Sequence, residues 1–468
     1  MSQERSLFSS FTTEVRALLS LSLPIVITQV ATQGMNFVDT AMAGQSSSTD
    51  LAAIAVGTSL WMPVSLILRG ILMSLTPVTA HHRGANNQSG ISRDLGQMIW
   101  IAAICSLLLI SYLTQAGNIL TFMEVAPSAV PVATQYLQAL AFGLPGIALF
   151  YTLNSFCEGM GNPRAPMFIS IIGLVINIPI NYVLIYGKFG FPQLGAVGCG
   201  WATSIVYWVM SALMAWYIVT HHRYKKLLLA NEMKPLLRRM GELVQLGLPI
   251  GINIFIGGSI FAVISLLIGK FGATHIASAQ VALNFSSMTY MIPLSISFGI
   301  TIRVGHALGR GDHNAAKIRS WSGIVLTALL SLLSVSCLLL FPDKIIALYT
   351  NDPEIVVGAA ILLTYTAIYQ FSDALQTAAN GALRGYKDTQ TPMWIACVAY
   401  WLIALPIGVI LSMTDWIVPA LGTKGFWFGI IVGLTIAAAL MLIRLHSIIT
   451  GTSRNFEYQG LSINRTNA

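Results

Sequence analysis

A chain of 468 residues that is 55% hydrophobic and 9% charged, with mean hydropathy +0.73, has too little polar surface for a water-soluble fold; such folds carry charge on about a quarter of their residues. A formal net charge of +8 raises the idea of a nucleic-acid partner, which would need the basic residues gathered on one exposed face. They are instead scattered through short polar stretches between apolar runs, so that class is excluded.

A helical span of a bilayer takes about 20 mainly apolar residues, and twelve such segments follow one another. The first lies near 17–42 and holds Pro24, a candidate hinge, and Asp39 toward its outer part. The second, near 51–77, carries Arg69; the third and fourth lie near 95–120 and 129–153. The fifth, near 166–187, sets Asn177 and Asn181 one turn apart around Pro179, and the sixth, near 196–220, sets Thr203 one turn after Cys199. Beyond a basic stretch at 221–241 come spans near 243–269, 276–302, 318–341, 355–382, 392–413 and 425–449. The tenth contains Tyr369 and, one turn later, Asp373. Strand-type alternation at about ten-residue spacing is missing, so the predicted fold is an all-α membrane protein with twelve transmembrane helices.

Arg16 before an apolar run and Ala41-Met42-Ala43 after it imitate a signal peptide. The run is too long, Asp39 stands just ahead of the apparent site, and the same pattern recurs in mid-chain. Cys105, Cys157, Cys199, Cys337 and Cys397 are odd in number and far apart, and read as small hydrophobes rather than disulfides or metal ligands.

Positive residues mark the cytoplasmic side. With both termini inside, 20 of the 25 lysines and arginines fall in inner segments, Arg83, Arg164, Arg239, Arg303, Arg319 and Arg444 among them. The outer loops keep Lys188, Lys270, Lys344 and Lys424, and Arg69 alone lies within a span. The basic excess is a topology signal, predicting a multi-pass protein of the bacterial inner membrane.

An internal repeat appears at an offset near 225. Leu23-Pro24-Ile25 returns as Leu248-Pro249-Ile250, His81 as His306, Asn154 as Asn380 and Pro179-Ile180 as Pro406-Ile407. Each half is six spans, an even number, so the two run in parallel: an N-terminal lobe (1–220), a cytoplasmic linker (221–241), a C-terminal lobe (242–450) and a cytoplasmic tail (451–468). Parallel six-helix halves are a recurrent secondary-transporter plan. The chain has no GxxxxGK[ST] for an ATP-driven pump, so no enzyme activity and no cofactor beyond a coupling ion is expected.

Ionisable groups inside spans are costly, about 2.5–3.5 kcal/mol on insertion scales, and are functional candidates. Of 17 acids only Asp39 and Asp373 lie there. Asp39 with Asn177, Asn181 and Thr203 is hard-oxygen chemistry suited to Na⁺ or to a proton; the plain alternative is hydrogen bonding between helices. Counting residues from their outer helix ends places Arg69 and Asp373 at similar depth, where a charge pair across the lobes would close a cavity in one state and part in the other. The many methionines and aromatics suit packing better than an adaptable cavity, and His81 and His306 read as loop structure.

Gly34-Met35-Asn36-Phe37-Val38-Asp39-Thr40, Asn177-Ile178-Pro179-Ile180-Asn181-Tyr182, Gly198-Cys199-Gly200, Ala282-Leu283-Asn284-Phe285-Ser286-Ser287, Leu383-Arg384-Gly385-Tyr386-Lys387-Asp388-Thr389 and Gly425-Phe426-Trp427 occur in order along the chain. Through them it resembles the multidrug and toxic compound extrusion (MATE) family, NorM branch. The resemblance implies export of cationic, lipophilic drugs and dyes in exchange for Na⁺ or H⁺. It also implies that Asp39, ringed by Asn177, Asn181 and Thr203, is the ion-coupling carboxylate and possible Na⁺ ligand, with Asp373 and Tyr369 serving the second lobe. Where such proteins usually carry a glutamate in the seventh helix this chain has Gly257, so coupling should rest chiefly on Asp39. Expected partners are small drugs or dyes and the lipid bilayer, no nucleic acid, and no second subunit. Two other readings compete: a lipid-linked oligosaccharide flippase, which would line its cavity with several Arg or Lys, and a non-transporting receptor or scaffold, which needs neither duplication nor buried carboxylates.

Overall fold

Twelve helices are long and apolar enough to cross a bilayer in the computed structural model, which describes residues 2–125, 127, 129–222, 224–225, 234–350, 352–416 and 418–451. They are α1 (Phe11–Ser46), α2 (Thr49–Gly84), α3 (Gln88–Thr114), α4 (Val130–Gly159), α5 (Arg164–Tyr186), α6 (Ala196–Thr220), α7 (Leu237–Phe271), α8 (Ala273–Gly309), α9 (His313–Leu340), α10 (Pro353–Gly385), α11 (Gln390–Met413) and α12 (Thr423–Thr450). The centre of the expected linker, 226–233, and the expected tail from 452 onward lie outside the described residues.

Most helices overrun the apolar windows that announced them. At 37 residues α8 is about 55 Å long against a hydrocarbon slab of about 30 Å, because hydrogen bonding continues through polar flanks that hydropathy scores as loop. α11 contains a feature that hydropathy does not encode: a π-helical stretch, Cys397–Ala404, just before Pro406. A wider turn there relieves the clash between the proline ring and the preceding carbonyls.

The helices sort into two units. The first comprises Leu19–Phe255 and Gly305–Gly311; the second takes the start of the chain to Leu18, Ile256–Val304 and the chain from Asp312. The start of α1 thus belongs to the second unit, and the start of α7 and the last turn of α8 to the first.

In the first unit α6 packs along α4 and α5, and α4 also receives α2 and α3. Gly143 lets α4 and α6 approach closely, since a Cβ there would fall 2.4 Å from Ser204 Oγ. Met98, Met210 and Met214 are fully buried among Phe150, Phe156 and Tyr224; these methionines fill core space. In the second unit α10 is flanked by α9 and α12, and the buried Trp427 of α12 donates to Thr366 Oγ1 of α10 at 3.1 Å.

Each unit carries a buried ion-pair cluster at helix ends. In the first, Asp94 near the start of α3 is fully buried and accepts two bonds from the Arg239 guanidinium of α7, 2.8 Å from Nε and 2.6 Å from Nη2, with His82 Nε2 2.8 Å away. Arg239 also reaches Glu242 at 2.6 Å. In the second, Glu14 of α1 accepts from Arg303 Nε at 2.6 Å and from its Nη2, and lies 3.5 Å from Arg319 of α9. The repeat offset of 225 carries Glu14 onto Arg239 and Asp94 onto Arg319, so the two clusters occupy equivalent positions with their charges exchanged. Both acids lie outside the apolar stretches, yet both are buried and paired, which makes them anchoring groups for the helix ends.

Candidate functional site

Pro24 lies inside α1, and Asp39 lies four turns further along the same helix. Proline withdraws one backbone donor from the helix, and the Thr28 hydroxyl bonds to Pro24 O at 3.0 Å one turn on. Asp39 itself is 8% exposed. Three side chains from two other helices point their donors at it: Asn177 Nδ2 to Oδ1 at 3.0 Å, Asn181 Nδ2 to the same oxygen at 2.6 Å, and Thr203 Oγ1 to Oδ2 at 2.8 Å. Helical periodicity explains the fork on α5, because residues four apart share a face. α5 approaches α1 where Gly34 would bring a Cβ to 3.3 Å from Leu174.

The sequence grouping of Asp39, Asn177, Asn181 and Thr203 is therefore one hydrogen-bonded cluster within the first unit. Three donors on one carboxylate suit the charged form, since each bond to an ionised acceptor is about twice as strong as a neutral one. Both amide oxygens, Asn177 Oδ1 and Asn181 Oδ1, are buried and accept no hydrogen bond among the described residues. Turning either amide over exchanges donor for acceptor, so the same ring can present carboxylate and carbonyl oxygens to a small cation, or an acceptor to a protonated Asp39.

The second-lobe candidates do not join each other in this way. Tyr369 is fully buried, and its hydroxyl donates to Ser286 Oγ of α8 at 2.8 Å instead of turning toward Asp373. Within its own unit Asp373 has no hydrogen-bond partner among the described residues. Its neighbourhood is set by Gln376, one turn on, which accepts a 2.5 Å bond from the Tyr400 hydroxyl of α11. The motif around Leu283-Asn284-Phe285-Ser286 contained the partner of Tyr369, but spacing alone did not connect them.

Gly257 faces open space: a Cβ there would meet only the ring edge of Tyr400, at 4.0 Å. Gly257→Glu should fold normally, since glycine in a helix interior is about 1 kcal/mol worse than an ordinary residue. Where Na⁺ is the driving ion, the added carboxylate should lower the half-saturating Na⁺ concentration by several-fold relative to wild type, measured as ²²Na⁺ uptake. An unchanged Na⁺ dependence would show that a carboxylate at position 257 adds nothing to cation binding.

Arg69 of α2 is half-buried, donates from Nη2 to Gln29 Oε1 at 2.7 Å and lies 5.2 Å above the Tyr151 ring. Tyr151 in turn lies 3.4 Å, hydroxyl to hydroxyl, from Tyr207. These partners belong to the same unit as Arg69 and were missed because glutamine and tyrosine carry no charge signal. His306 Nε2 lies 2.9 Å from Gly159 O, a helix-end contact in keeping with a structural role, whereas His82, passed over in the sequence, sits in the Asp94 cluster.

Over residues 24–183 and 249–410 the sequence matches the MatE family. It is 42% identical over 434 residues to the multidrug resistance protein MdtK of Yersinia pseudotuberculosis serotype O:1b (strain IP 31758), covering 92% of this chain and 95% of that protein. The same identity and coverage hold for MdtK of Yersinia enterocolitica serotype O:8 / biotype 1B. Among solved structures the fold is similar to the eukaryotic MATE transporter AtDTX14, with TM-score 0.80 at 20% identity over 93% of this chain and 96% of that one. It is also similar to a MATE crystallised in complex with MaD5, with TM-score 0.84 at 18% identity over 94% and 97%.

Proposed function

Because the chain belongs to the MatE family, a family of transporters, we propose that it is a secondary multidrug exporter expelling cationic, lipophilic drugs and dyes in exchange for Na⁺ or a proton. The observation that carries the coupling half of this reading is the buried Asp39 carboxylate with three converging donors and two unpaired amide oxygens beside it. Such a ring changes its net charge when a cation arrives, and a charge change inside a low-dielectric span alters which arrangement of helices is most stable. Coupling follows if ion and drug favour different arrangements, since each then displaces the other thermodynamically. A lipid-linked oligosaccharide flippase is less well supported, because Arg69 is the one basic residue that falls inside the apolar stretch of a span, away from its polar ends, where an anionic headgroup would call for several.

The test uses inverted membrane vesicles, with the cytoplasmic face outward. Vesicles loaded with Na⁺, or acidified internally, should accumulate an added cationic dye under at least one of the two gradients, which also identifies the ion. No accumulation under either gradient would overturn the reading.

A further inference from the structure

Where the chain enters α7, five consecutive residues, Lys234-Pro235-Leu236-Leu237-Arg238, are exposed. Leu237 is 82% exposed and the Arg238 side chain 95%. Two leucines between a lysine and an arginine are poorly placed in water. They suit the boundary between headgroups and acyl chains, where apolar bodies and charged tips are both satisfied.

The stretch is held, not loose. Gln97 of α3 is fully buried and spends both ends of its amide on this backbone: Nε2 donates to Lys234 O at 2.9 Å, and Oε1 accepts from Leu236 N at 2.7 Å. Three residues earlier on α3, Asp94 holds Arg239. Two buried polar side chains, a turn apart, thus fix an exposed segment in place. The repeat offset of 225 carries Lys234 onto Ser9, the leucine pair onto Phe11 and Thr12, and Arg238 onto Thr13. The plan shared by the halves therefore requires neither the two charges nor the leucine pair.

The exposed face of α3 adds to this surface. Arg93 and Trp100 are exposed on it two turns apart, and Ile104 and Leu107 continue the same face as an apolar stripe. Arg93 Nε lies 3.5 Å from Asp94 Oδ1, the oxygen that Arg239 Nε bonds at 2.8 Å, which brings Arg93 to the start of α7. Arg238 Nε is 3.6 Å from Glu242. Around these contacts the cations Arg93, Lys234, Arg238 and Arg239 outnumber the acids Asp94 and Glu242. Positive charge is left over at the head of an apolar stripe.

We propose that this surface of the first unit binds an anionic phospholipid of the surrounding membrane. Its phosphate is taken by Arg93 and Arg238 with Lys234 beside it, and its acyl chains lie against Leu236, Leu237 and the stripe that begins at Trp100. Charge and shape select this occupant together: a soluble anion has no use for the leucines, and a zwitterionic lipid has none for the excess charge. Basic clusters at the end of a membrane helix attract anionic headgroups in this way. The proposal is independent of what the protein transports.

The experiment titrates the full-length protein in detergent with phosphatidylglycerol and, separately, with phosphatidylcholine of the same oleoyl chains, and follows bound lipid by native mass spectrometry. Wild type should bind phosphatidylglycerol about fivefold or more tightly than phosphatidylcholine. Arg93→Gln/Arg238→Gln, which changes two exposed side chains, should reduce that preference to within about twofold. Gln97→Met removes no charge but releases the segment, and should reduce it as well. Lys188→Gln/Lys344→Gln removes two positive charges from the opposite helix ends and should keep the wild-type preference. Equal binding of both lipids by wild type, a preference that survives in Arg93→Gln/Arg238→Gln, or an equal fall in Lys188→Gln/Lys344→Gln would overturn the proposal. An intact preference in Gln97→Met would show diffuse attraction instead of a built site and overturn it too; if Gln97→Met melts, the arginine variant decides alone.

Discussion

An Asp39→Asn transporter should bind dye and fail to pump it. Asparagine preserves the shape of the site: its oxygen can still accept from Asn177 and Asn181, and its NH₂ can face Thr203, whose hydroxyl rotates to accept instead of donate. The fold is therefore kept, while the side chain can no longer carry a charge that appears and disappears with the coupling ion. Gradient-driven dye accumulation should fall to the level of vesicles without transporter, with dye affinity in the absence of a gradient close to wild type. Thr203→Ala, which deletes a single hydrogen bond of about 1–3 kcal/mol to a charged group, should weaken ion dependence without abolishing it. Full gradient-driven accumulation by Asp39→Asn would place coupling elsewhere, and Asp373 would be the next carboxylate to test.

Arg239→Leu should be among the most destabilising single changes in the first unit. Asp94 is fully buried, and removal of the guanidinium strips two close bonds from its carboxylate, leaving His82 and the exposed, more distant Arg93. Breaking a buried pair from one side costs about 3–5 kcal/mol, whereas replacing both members by apolar groups of similar size is often neutral. The double variant Asp94→Leu/Arg239→Leu should accordingly recover most of the stability lost by Arg239→Leu. Thermal melting of the purified proteins in detergent distinguishes the outcomes: equal melting of wild type and Arg239→Leu would show that the cluster adds nothing to the fold, and a double variant worse than either single would show that the pair is not the relevant unit.

Hydropathy made the twelve helices legible, because a bilayer imposes one length on every span and the chain has few charges with which to blur it. The Asp39 cluster was legible for a related reason. A carboxylate in a span has to find polar company, and Asn177, Asn181 and Thr203 stood at one-turn spacings in helices otherwise made of apolar residues. What spacing did not reveal is side-chain direction. Tyr369 and Asp373 share a stripe of α10, yet the tyrosine hydroxyl turns to Ser286, 83 residues away. The ion-pair clusters stayed hidden because their members sit at helix ends, where charge is ordinary, and because Asp94 and Arg239 are 145 residues apart. The π-helical stretch of α11 was equally silent, being a response of the backbone to Pro406 and its packing rather than a pattern of apolar positions.

A chain that contains two versions of one plan faces a problem of self-recognition, since each half offers a docking place that the wrong helix start would fit by shape. The exchanged charges of the two clusters resolve it. Were the start of α1 to settle where α7 belongs, Glu14 would confront Asp94; were the start of α7 to take the other place, Arg239 would confront Arg303 and Arg319. Like charges buried together are prohibitive, so the polarity works as a key that only one order of assembly turns. It also sets a timetable during synthesis: Glu14 is among the first residues made, and its partner Arg303 emerges 289 residues later. The opening turns of the first helix are therefore committed only once the first helices of the second half exist, so this corner of the fold closes on partners that the early chain does not yet contain.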